Sequence, residues 1–324
     1  MMQKEIDVTA LGELLIDFTE NGVSSQGNAL LEANPGGAPC NVLAMLGKLG
    51  KKTAFIGKVG NDQFGNMLRN TIESVGIDAE GLVIDDKVHT TLAFVHTYPD
   101  GDRDFSFYRN PGADMMLRKE EVSLEKICAS KIFHFGTLSF THAGIRTASQ
   151  YAIQCAKEAG ALISFDPNLR EPLWENLEDA RKAIEYGMEC CDILKISDNE
   201  LTFMTGEKDY DKGAVLLQQK YQIPLVCVTL GKDGSRAYYK GLTIKAEPFL
   251  QKNTIETTGA GDPFTGCMLN TVLEKGLDNL TGEDIRGMLR FANAGAALIT
   301  TKRGALRVMP EKEEIEALLE EQTE

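Results

Sequence analysis

The sequence predicts an α/β fold with a Rossmann-like three-layer αβα core, a mainly parallel sheet and a small β-sheet lid. Three observations support this. Short β-type apolar runs alternate with helix-periodic segments along most of the chain, two stretches are extended with no helix in them, and the last third is helical. Strand–helix alternation is typical of a parallel sheet covered on both faces. We predict a single domain over residues 1–324, with the lid formed by about residues 14–31 and 89–109.

The core elements follow in chain order. The candidate strands are Ile6–Gly12, Thr53–Val59, Lys131–Phe135, Ala161–Asp166, Ile193–Ile196 and Leu225–Leu230. The helix-periodic segments between them are Asn41–Leu49, Phe64–Val75, Ile145–Ala159 and Leu177–Gly187. The helices of the last third are Thr265–Lys275, Asp284–Thr300 and Glu311–Glu320.

The lid segments do not fit the alternating pattern. The stretch "TTLAFVHTYPDGDRDFSFYRN" is typical of a hairpin whose turn is Pro99–Asp102. Its inner face is predicted to carry Leu92, Phe94, Phe105 and Phe107, alternating with polar residues. Because such a face needs a partner, we expect two lids to pack together in a homodimer with a two-fold axis.

Composition excludes several classes of function. The 324 residues carry a net charge of −14, and no Lys/Arg run is longer than two residues. Nucleic acid is therefore not expected as a partner, since binding to a phosphate backbone needs clustered cations. No apolar run approaches the length of a membrane helix, and charged residues near the N-terminus argue against a signal peptide. We expect a cytoplasmic protein that does not bind membranes.

The cysteines and histidines do not indicate a zinc site. The seven cysteines include no C-x-x-C pair, and the four histidines form no ligand cluster with them. We interpret the cysteines as small buried side chains in a reducing compartment.

The segment Glu256–Phe264, "ETTGAGDPF", carries the strongest chemical signal. Its glycines let backbone N–H groups converge at the start of a helix, where they form an anion hole. Asp262 stands at the rim and could accept a proton from a substrate hydroxyl. The alternative is structural, because Asp262 followed by Pro263 is also a common helix cap.

Two more glycine-rich turns precede helices. Gly36–Asn41, "GGAPCN", offers bare backbone and the Asn41 amide to a polyol, and residues 57–65 form a third turn at a strand end. Such turns share the carboxyl edge of an open sheet. Asp17 lies in the apolar strand "LLIDF", where an unpaired carboxylate is costly; sugar hydroxyls or a salt bridge would satisfy it. We expect Arg109, after the lid strand, to swing over the site, with a solvated arginine as the alternative.

These segments together resemble the ribokinase-like (pfkB-type) family of sugar kinases. "NPGGAPCNVLAMLGKLG" is similar to its N-terminal signature and "TTGAGDPFTGCML" to its C-terminal one. Within the family, the chain looks most like bacterial and plant fructokinases. The segments that carry this likeness are "GELLIDF", "FSFYRNPGADMML", "FHFGTLSF", "DPNLREPLW" and "KISDNEL".

The resemblance implies a role for individual residues. Asp262 matches the catalytic base, and the anion hole matches Gly259, Ala260 and Gly261. The positions that bind or lie near the sugar match Asp17, Gly36, Gly37, Asn41, Arg109 and Asp166. The positions on the ATP side match Lys195, Glu200, Thr229, Gly231, Gly234 and Asn293. Glu200 is also implied to organise Mg²⁺ through water.

Three departures from the family pattern concern the site. Glu256 stands where the family usually has the Asp linked to a monovalent cation, so a potassium requirement is left open. Ser197 replaces the usual Asn at the start of the acidic motif. Pro263 replaces a small residue and cannot donate an N–H to a phosphate.

The resemblance implies an ATP-dependent kinase with Mg²⁺ that phosphorylates a primary hydroxyl of a small sugar, with fructose as the leading candidate. A 2-keto-3-deoxygluconate kinase shares the signatures, but its substrate carries a carboxylate and would require an extra cation in the site. A nucleoside kinase would require an aromatic pocket for the base. A non-catalytic sugar-binding relative would not need Asp262. An oxidoreductase would need G-x-G-x-x-G after the first strand, where the chain has Glu13-Leu14-Leu15.

Overall fold

The structure, a computed structural model, describes residues 4–97, 103–251, 253–255 and 259–321. Its strands are β1 (Ile6–Leu11), β2 (Leu15–Val23), β3 (Ala29–Gly36), β4 (Thr53–Gly60), β5 (Ile77–Asp85), β6 (Leu92–Thr97), β7 (Arg103–Tyr108), β8 (Ser130–Gly136), β9 (Leu162–Asp166), β10 (Ile193–Ser197), β11 (Leu225–Thr229), β12 (Ser235–Tyr239) and β13 (Leu242–Ala246).

The helices alternate with the core strands and then dominate the C-terminal part. They are α1 (Ala38–Lys48), α2 (Gln63–Ser74), α3 (Leu124–Cys128), α4 (Ala143–Glu158), α5 (Leu177–Cys190), α6 (Asp198–Thr205), α7 (Tyr210–Tyr221), α8 (Gly261–Lys275), α9 (Gly282–Ile299) and α10 (Lys312–Glu321). Several begin at the cap residues that helices favour; Asp62, for example, accepts the Gly65 N–H at 2.8 Å at the start of α2.

The main sheet has nine strands in the order β13-β12-β11-β10-β9-β8-β1-β4-β5. All neighbours from β11 to β5 pair in parallel, and only β12 and β13 at one edge are antiparallel. Every predicted core strand lies in this sheet. The carboxyl ends of β1, β8, β9, β10 and β11 therefore meet at one edge, where α1 and α8 also begin.

Two apolar layers cover the sheet. One, built on α1, α2, α8, α9 and α10, includes Val8 and Ala10 of β1, and the other, built on α3 to α7, includes Leu11 of the same strand. Because the sheet is covered on both faces, its central strands are largely apolar rather than alternating. This is the predicted three-layer αβα arrangement.

A separate four-stranded sheet has the order β3-β2-β6-β7 and corresponds to the predicted lid segments. Phe18 of β2 pairs with Phe94 of β6, and their rings stack at 5.0 Å. The predicted common inner face is wrong, however. Phe107 pairs with Ala93 in the register, which puts Phe107 on the face opposite Leu92 and Phe94. The predicted turn at residues 99–102 and the Phe105 side chain lie outside the described residues.

Two further predictions concern the environment of the chain. Among the described residues, no helix is both long and apolar enough to cross a membrane. All seven cysteines are free thiols; four are buried and three are partly buried.

Candidate active site

The first turns of α1 and α8 lie side by side at the carboxyl edge of the main sheet. The two helices pack closely enough for their first turns to be adjacent. A Cβ on Gly266 of α8 would come within 2.7 Å of the Met45 side chain of α1 and within 3.1 Å of the Val42 carbonyl. The two glycine-rich signatures, more than 200 residues apart in the chain, therefore meet in one place.

Asp262 does not cap α8. The helix begins one residue earlier, at Gly261, and its cap position, Ala260, makes no side-chain hydrogen bond. The structural alternative for Asp262 is therefore wrong. Pro263 is the third helical residue rather than the first; its missing N–H still falls within the turn whose donors have no partner inside the helix.

Asp262 is instead a buried carboxylate held by a distant side chain. Its Oδ2 accepts the Asn41 Nδ2–H at 2.8 Å, while the Asn41 Oδ1 is buried without a partner among the described residues. Burial raises the pKa of Asp262 to about 6, with Asp166 acting in the same direction and Asn41 and Lys195 opposing it. A carboxylate with this pKa is ionised at neutral pH and still basic enough to accept a proton.

A buried ammonium group lies beneath the glycine turn. Lys195, in the middle of β10, pairs with Asp166 across 3.0 Å from Nζ to Oδ2. A Cβ on Gly261 would stand 2.7 Å from the Lys195 Nζ, so only glycine allows this approach. Burial lowers the pKa of Lys195, but Asp166 and Glu200 outweigh it and the net shift is upward. The positive charge is thus fixed below the predicted anion hole.

Asp166 joins β9, β10 and α8. Besides the Lys195 ion pair, its Oδ2 accepts a hydrogen bond from the Thr265 hydroxyl at 3.4 Å. Burial raises the pKa of Asp166, and Lys195 opposes that shift.

The residues predicted on the sugar side also lie at this edge. Gly37 has φ +134°, and a Cβ there would come within 2.4 Å of the Glu13 carbonyl oxygen. At Gly36 a Cβ would stand 2.6 Å from the Asp17 Oδ2. Both glycines therefore permit close approach of the chain, and the Asp17 carboxylate, from β2 of the small sheet, lies beside Gly36.

Arg109 is not free to move. Its side chain is buried and pairs with Asp114 at 2.6 Å, and it also donates to the Thr141 hydroxyl at 2.8 Å and the Leu138 carbonyl at 3.1 Å. The prediction that Arg109 swings over the site is wrong, because this set of contacts ties it to the core. A contact between Arg109 and sugar stays a prediction.

Glu200 supports a helix start. Its Oε2 accepts hydrogen bonds from the Ser197 N–H and hydroxyl, both at 2.9 Å, which completes a capping box at α6. Its Oε1 accepts the Leu169 N–H at 2.8 Å and so braces the turn after β9. Ser197, a departure from the family pattern, is thus compatible with the turn.

A cleft of about 350 Å³ adjoins the glycine turn and is lined by four of the six residues predicted on the ATP side; Lys195 and Glu200 do not line it. Its walls include Thr229, Gly231, Gly234, Ala260, Gly261 and Asn293. Gly234 has φ +81°, and a Cβ there would meet the Ala246 carbonyl at 2.2 Å. The Asn293 amide donates to the Glu247 carbonyl at 2.9 Å and so fixes the opposite wall.

The described residues contain no group of three or more Asp, Glu, His or Cys side chains arranged to hold a metal ion. Glu256, predicted near a monovalent cation, lies outside the described part of the chain.

Three residues near Asp262 were missed in the sequence. Glu13 is 5% exposed, and burial raises its pKa to about 7. His134 is neutral, because burial, with Lys195 second, lowers its pKa to about 3. Arg170 is close enough to lower the pKa of both Asp166 and Asp262. The argument applied to Asp17, a carboxylate in an apolar strand, would also have found Glu13.

Comparison with known proteins gives consistent matches over the whole chain. The chain is 45% identical over 306 residues to probable fructokinase-2 of Arabidopsis thaliana, covering 94% of this chain and 92% of that one. It superposes on a fructokinase from Xylella fastidiosa with bound ATP at a TM-score of 0.89 and 31% identity, covering 99% and 100% of the two chains. A double-mutant fructokinase from Vibrio cholerae O395, in its fructose-, ADP- and potassium-bound form, gives a TM-score of 0.87 at 29% identity, covering 98% and 100%.

The model of the pfkB family carbohydrate kinases matches residues 5–312. The family predicted from the two glycine-rich segments is thereby confirmed, and this chain belongs to the pfkB family of carbohydrate kinases.

Proposed function

We propose that this carbohydrate kinase is a fructokinase that transfers the γ-phosphate of ATP to a primary hydroxyl of fructose. The observation that carries the proposal is Asp262, buried at the glycine turn with a pKa raised to about 6 and held by Asn41 at 2.8 Å. The names of its relatives, fructokinases at 40–45% identity, support the choice of sugar.

The proposed chemistry is an in-line displacement at phosphorus. Asp262 takes the proton of the sugar hydroxyl as its oxygen bonds to the γ-phosphorus, and the bond from that phosphorus to the bridging oxygen of ADP breaks. Backbone N–H groups of Gly259, Ala260 and Gly261 and the Lys195 ammonium stabilise negative charge on the transferring group. Because this reaction depends on the positions and charges of the reacting groups, the residues that hold Asp262 and Lys195 in place contribute most to catalysis.

Mg²⁺ is the metal we expect with ATP, and the carboxylates near the glycine turn fit it. Mg²⁺ usually keeps several waters and takes one or two protein carboxylates besides the phosphates. Glu200 Oε1 accepts one N–H, from Leu169, which leaves it able to accept a hydrogen bond from a metal-bound water. When bound, the ion would neutralise phosphate charge.

The charges around the sugar residues favour a neutral substrate. Four carboxylates stand here, on Asp17, Glu13, Asp166 and Asp262. Lys195 and Arg109 are already paired with Asp166 and Asp114, and Arg170 adds one positive charge near Asp166 and Asp262. An acidic sugar such as 2-keto-3-deoxygluconate would meet this negative field. Ketohexoses carry no such charge.

Two finer proposals concern the assembly of the protein and its location in the cell. We propose that the small sheet acts as a lid and packs against a second copy in a homodimer, since Val23, Leu31 and Tyr108 on it are 67%, 45% and 67% exposed. We also propose a cytoplasmic location, because seven free thiols suit a reducing compartment.

An ADP-release assay over fructose, tagatose, ribose and 2-keto-3-deoxygluconate tests the proposed substrate. We expect the highest kcat/KM with fructose. A higher value with the acidic sugar would overturn the assignment, and no turnover with any sugar would favour a non-catalytic relative.

A further inference from the structure

Glu13 is a buried carboxylate just after β1 to which the proposed reaction assigns no role. Its Oε1 accepts the Ala38 N–H at 2.8 Å, and the side chain sits beside Arg109 and Asp114. A buried carboxylate is costly unless it makes contacts that compensate for its lost hydration. Glu13 also borders a small cavity of about 10 Å³ whose wall includes Asp262.

The Ala38 N–H belongs to a helix start that lacks a cap of its own. Gly37 occupies the cap position of α1 and has no side chain, and Pro39 at the second helical position has no N–H. The first-turn donors of a helix need partners from outside it. Glu13 supplies one from the segment after β1, 25 residues earlier in the chain.

The same turn holds Asn41. The Asn41 backbone N–H donates to the Gly37 carbonyl at 2.9 Å, so Asn41 completes the first hydrogen-bonded turn of α1. Its side-chain amide then reaches across to the Asp262 Oδ2 at 2.8 Å. A shift of this turn would carry the Asn41 amide away from Asp262.

We propose that Glu13 is a positioning residue: its carboxylate fixes the first turn of α1 and thereby aims the Asn41 amide at Asp262. The role of these contacts in catalysis rests on the proposed function. The effect of Glu13 on the pKa of Asp262, transmitted through Asn41, can be measured without any turnover.

The direction in which the pKa of Asp262 changes distinguishes an effect through Asn41 from a direct electrostatic effect of the Glu13 charge. Asn41 lowers the pKa of Asp262, so loss of its hydrogen bond raises that pKa. Removal of a nearby anion acts the opposite way and would lower it. Asp166, Lys195 and Arg170, which also face Asp262, stay unchanged in the variants below.

The test is a carbon-13 NMR titration of protein labelled at the aspartate carboxyl carbons, with D262N identifying the Asp262 signal. Glu13→Met fills the same space without an acceptor, and Glu13→Gln keeps an acceptor without the charge. Ala38→Pro deletes the same hydrogen bond from the donor side, at a position where proline suits a helix start. Asn41→Leu removes the amide, and Glu73→Ala on exposed α2 surface is the matched control.

We expect Glu13→Met and Ala38→Pro to raise the pKa of Asp262 as Asn41→Leu does, and the Glu13→Met/Asn41→Leu double variant to raise it no further. Glu13→Gln and Glu73→Ala should titrate like wild type. In turnover with fructose, Glu13→Met should lower kcat by about tenfold or more with KM for ATP unchanged, and Glu13→Gln should restore it.

The proposal is overturned if the Asp262 titration stays in place or moves down in Glu13→Met and Ala38→Pro, or if Glu13→Gln is as impaired as Glu13→Met. Should Glu13→Met not fold, Ala38→Pro decides alone. A wild-type protein that does not phosphorylate fructose would defeat the proposed function and leave the titration, which needs no sugar, to decide this inference.

Discussion

The Asn41 amide donates a hydrogen bond to the Asp262 carboxylate across 2.8 Å, although the two residues are 221 positions apart in the chain. This contact joins the first turns of α1 and α8, so each signature segment helps to position the other. The second amide atom, Asn41 Oδ1, is buried and unpartnered in the described structure. Since buried polar atoms are nearly always paired, we propose that a substrate hydroxyl binds there.

Gly261→Ala should impair catalysis and leave the fold intact. The added Cβ would stand 2.7 Å from the Lys195 Nζ and push the ammonium away from the turn. We expect kcat/KM for ATP to fall by roughly tenfold to a hundredfold, since displacements of about 1 Å have effects of this size. The control is Gly287→Ala on α9, where nothing lies within 4 Å of the new Cβ. Equal kinetics in both variants would contradict the prediction.

Lys195→Met should destabilise the protein strongly. The substitution leaves the Asp166 carboxylate buried without its ion-pair partner, which costs about 3–5 kcal/mol in comparable cases. The double variant Asp166→Asn/Lys195→Met removes both charges and should recover much of that free energy of unfolding. Urea denaturation measures both. A double variant less stable than Lys195→Met would show that the pair does not act as a unit.

Potassium should stimulate this enzyme weakly. The prediction rests on Glu256, which is one methylene longer than the Asp that the family pattern has there. Rates in potassium and in a bulky organic cation at equal ionic strength give the stimulation factor, and Glu256→Asp should increase it. A strong potassium stimulation in wild type, unchanged in Glu256→Asp, would show that the longer side chain supports the cation equally well.

The small sheet should form the contact between two copies. Leu31 is 45% exposed on β3, so Leu31→Lys would put a charge into an interface there and should convert a dimer into a monomer, measured by light scattering. Hydrogen exchange should show stronger protection of β6 and β7 amides with fructose bound. Arg109 is already fixed to Asp114 and should not contribute to that change. A wild-type monomer with no sugar-dependent protection would refute both ideas.

Sequence patterns predicted six of the nine strands of the main sheet, because each of the six is a short apolar run between turns, and missed β5, β12 and β13. The pair β12 and β13 was missed for an identifiable reason. Its two-residue turn is Lys240-Gly241, with φ +46° and +78°, and the first position lacks the Asn or Asp that usually marks such a hairpin. The face assignment of Phe107 failed because the register across the hairpin depends on a turn that sequence alone did not fix.

The sequence indicated which residues belong to the candidate site, but it did not indicate which of them contact one another. Glycine turns at strand ends indicated where Asp262 and Asn41 belong, while their hydrogen bond depends on how closely α1 and α8 pack at Gly266. The expectation for Arg109 failed because an exposed and a buried arginine look alike in a sequence. Its partner Asp114, five residues on, became evident only with the fold.

The central claim, that Asp262 is the base, is tested most directly by the pH dependence of kcat with fructose in wild type and Asp262→Asn. A base must be ionised, so wild-type kcat should be constant above the pKa and fall as the pH drops through about 6. Asp262→Asn should lower kcat by about 10²–10⁴ and leave ATP binding largely intact. An Asp262→Asn enzyme that keeps more than half of the wild-type turnover, with the same acid limb, would contradict the account.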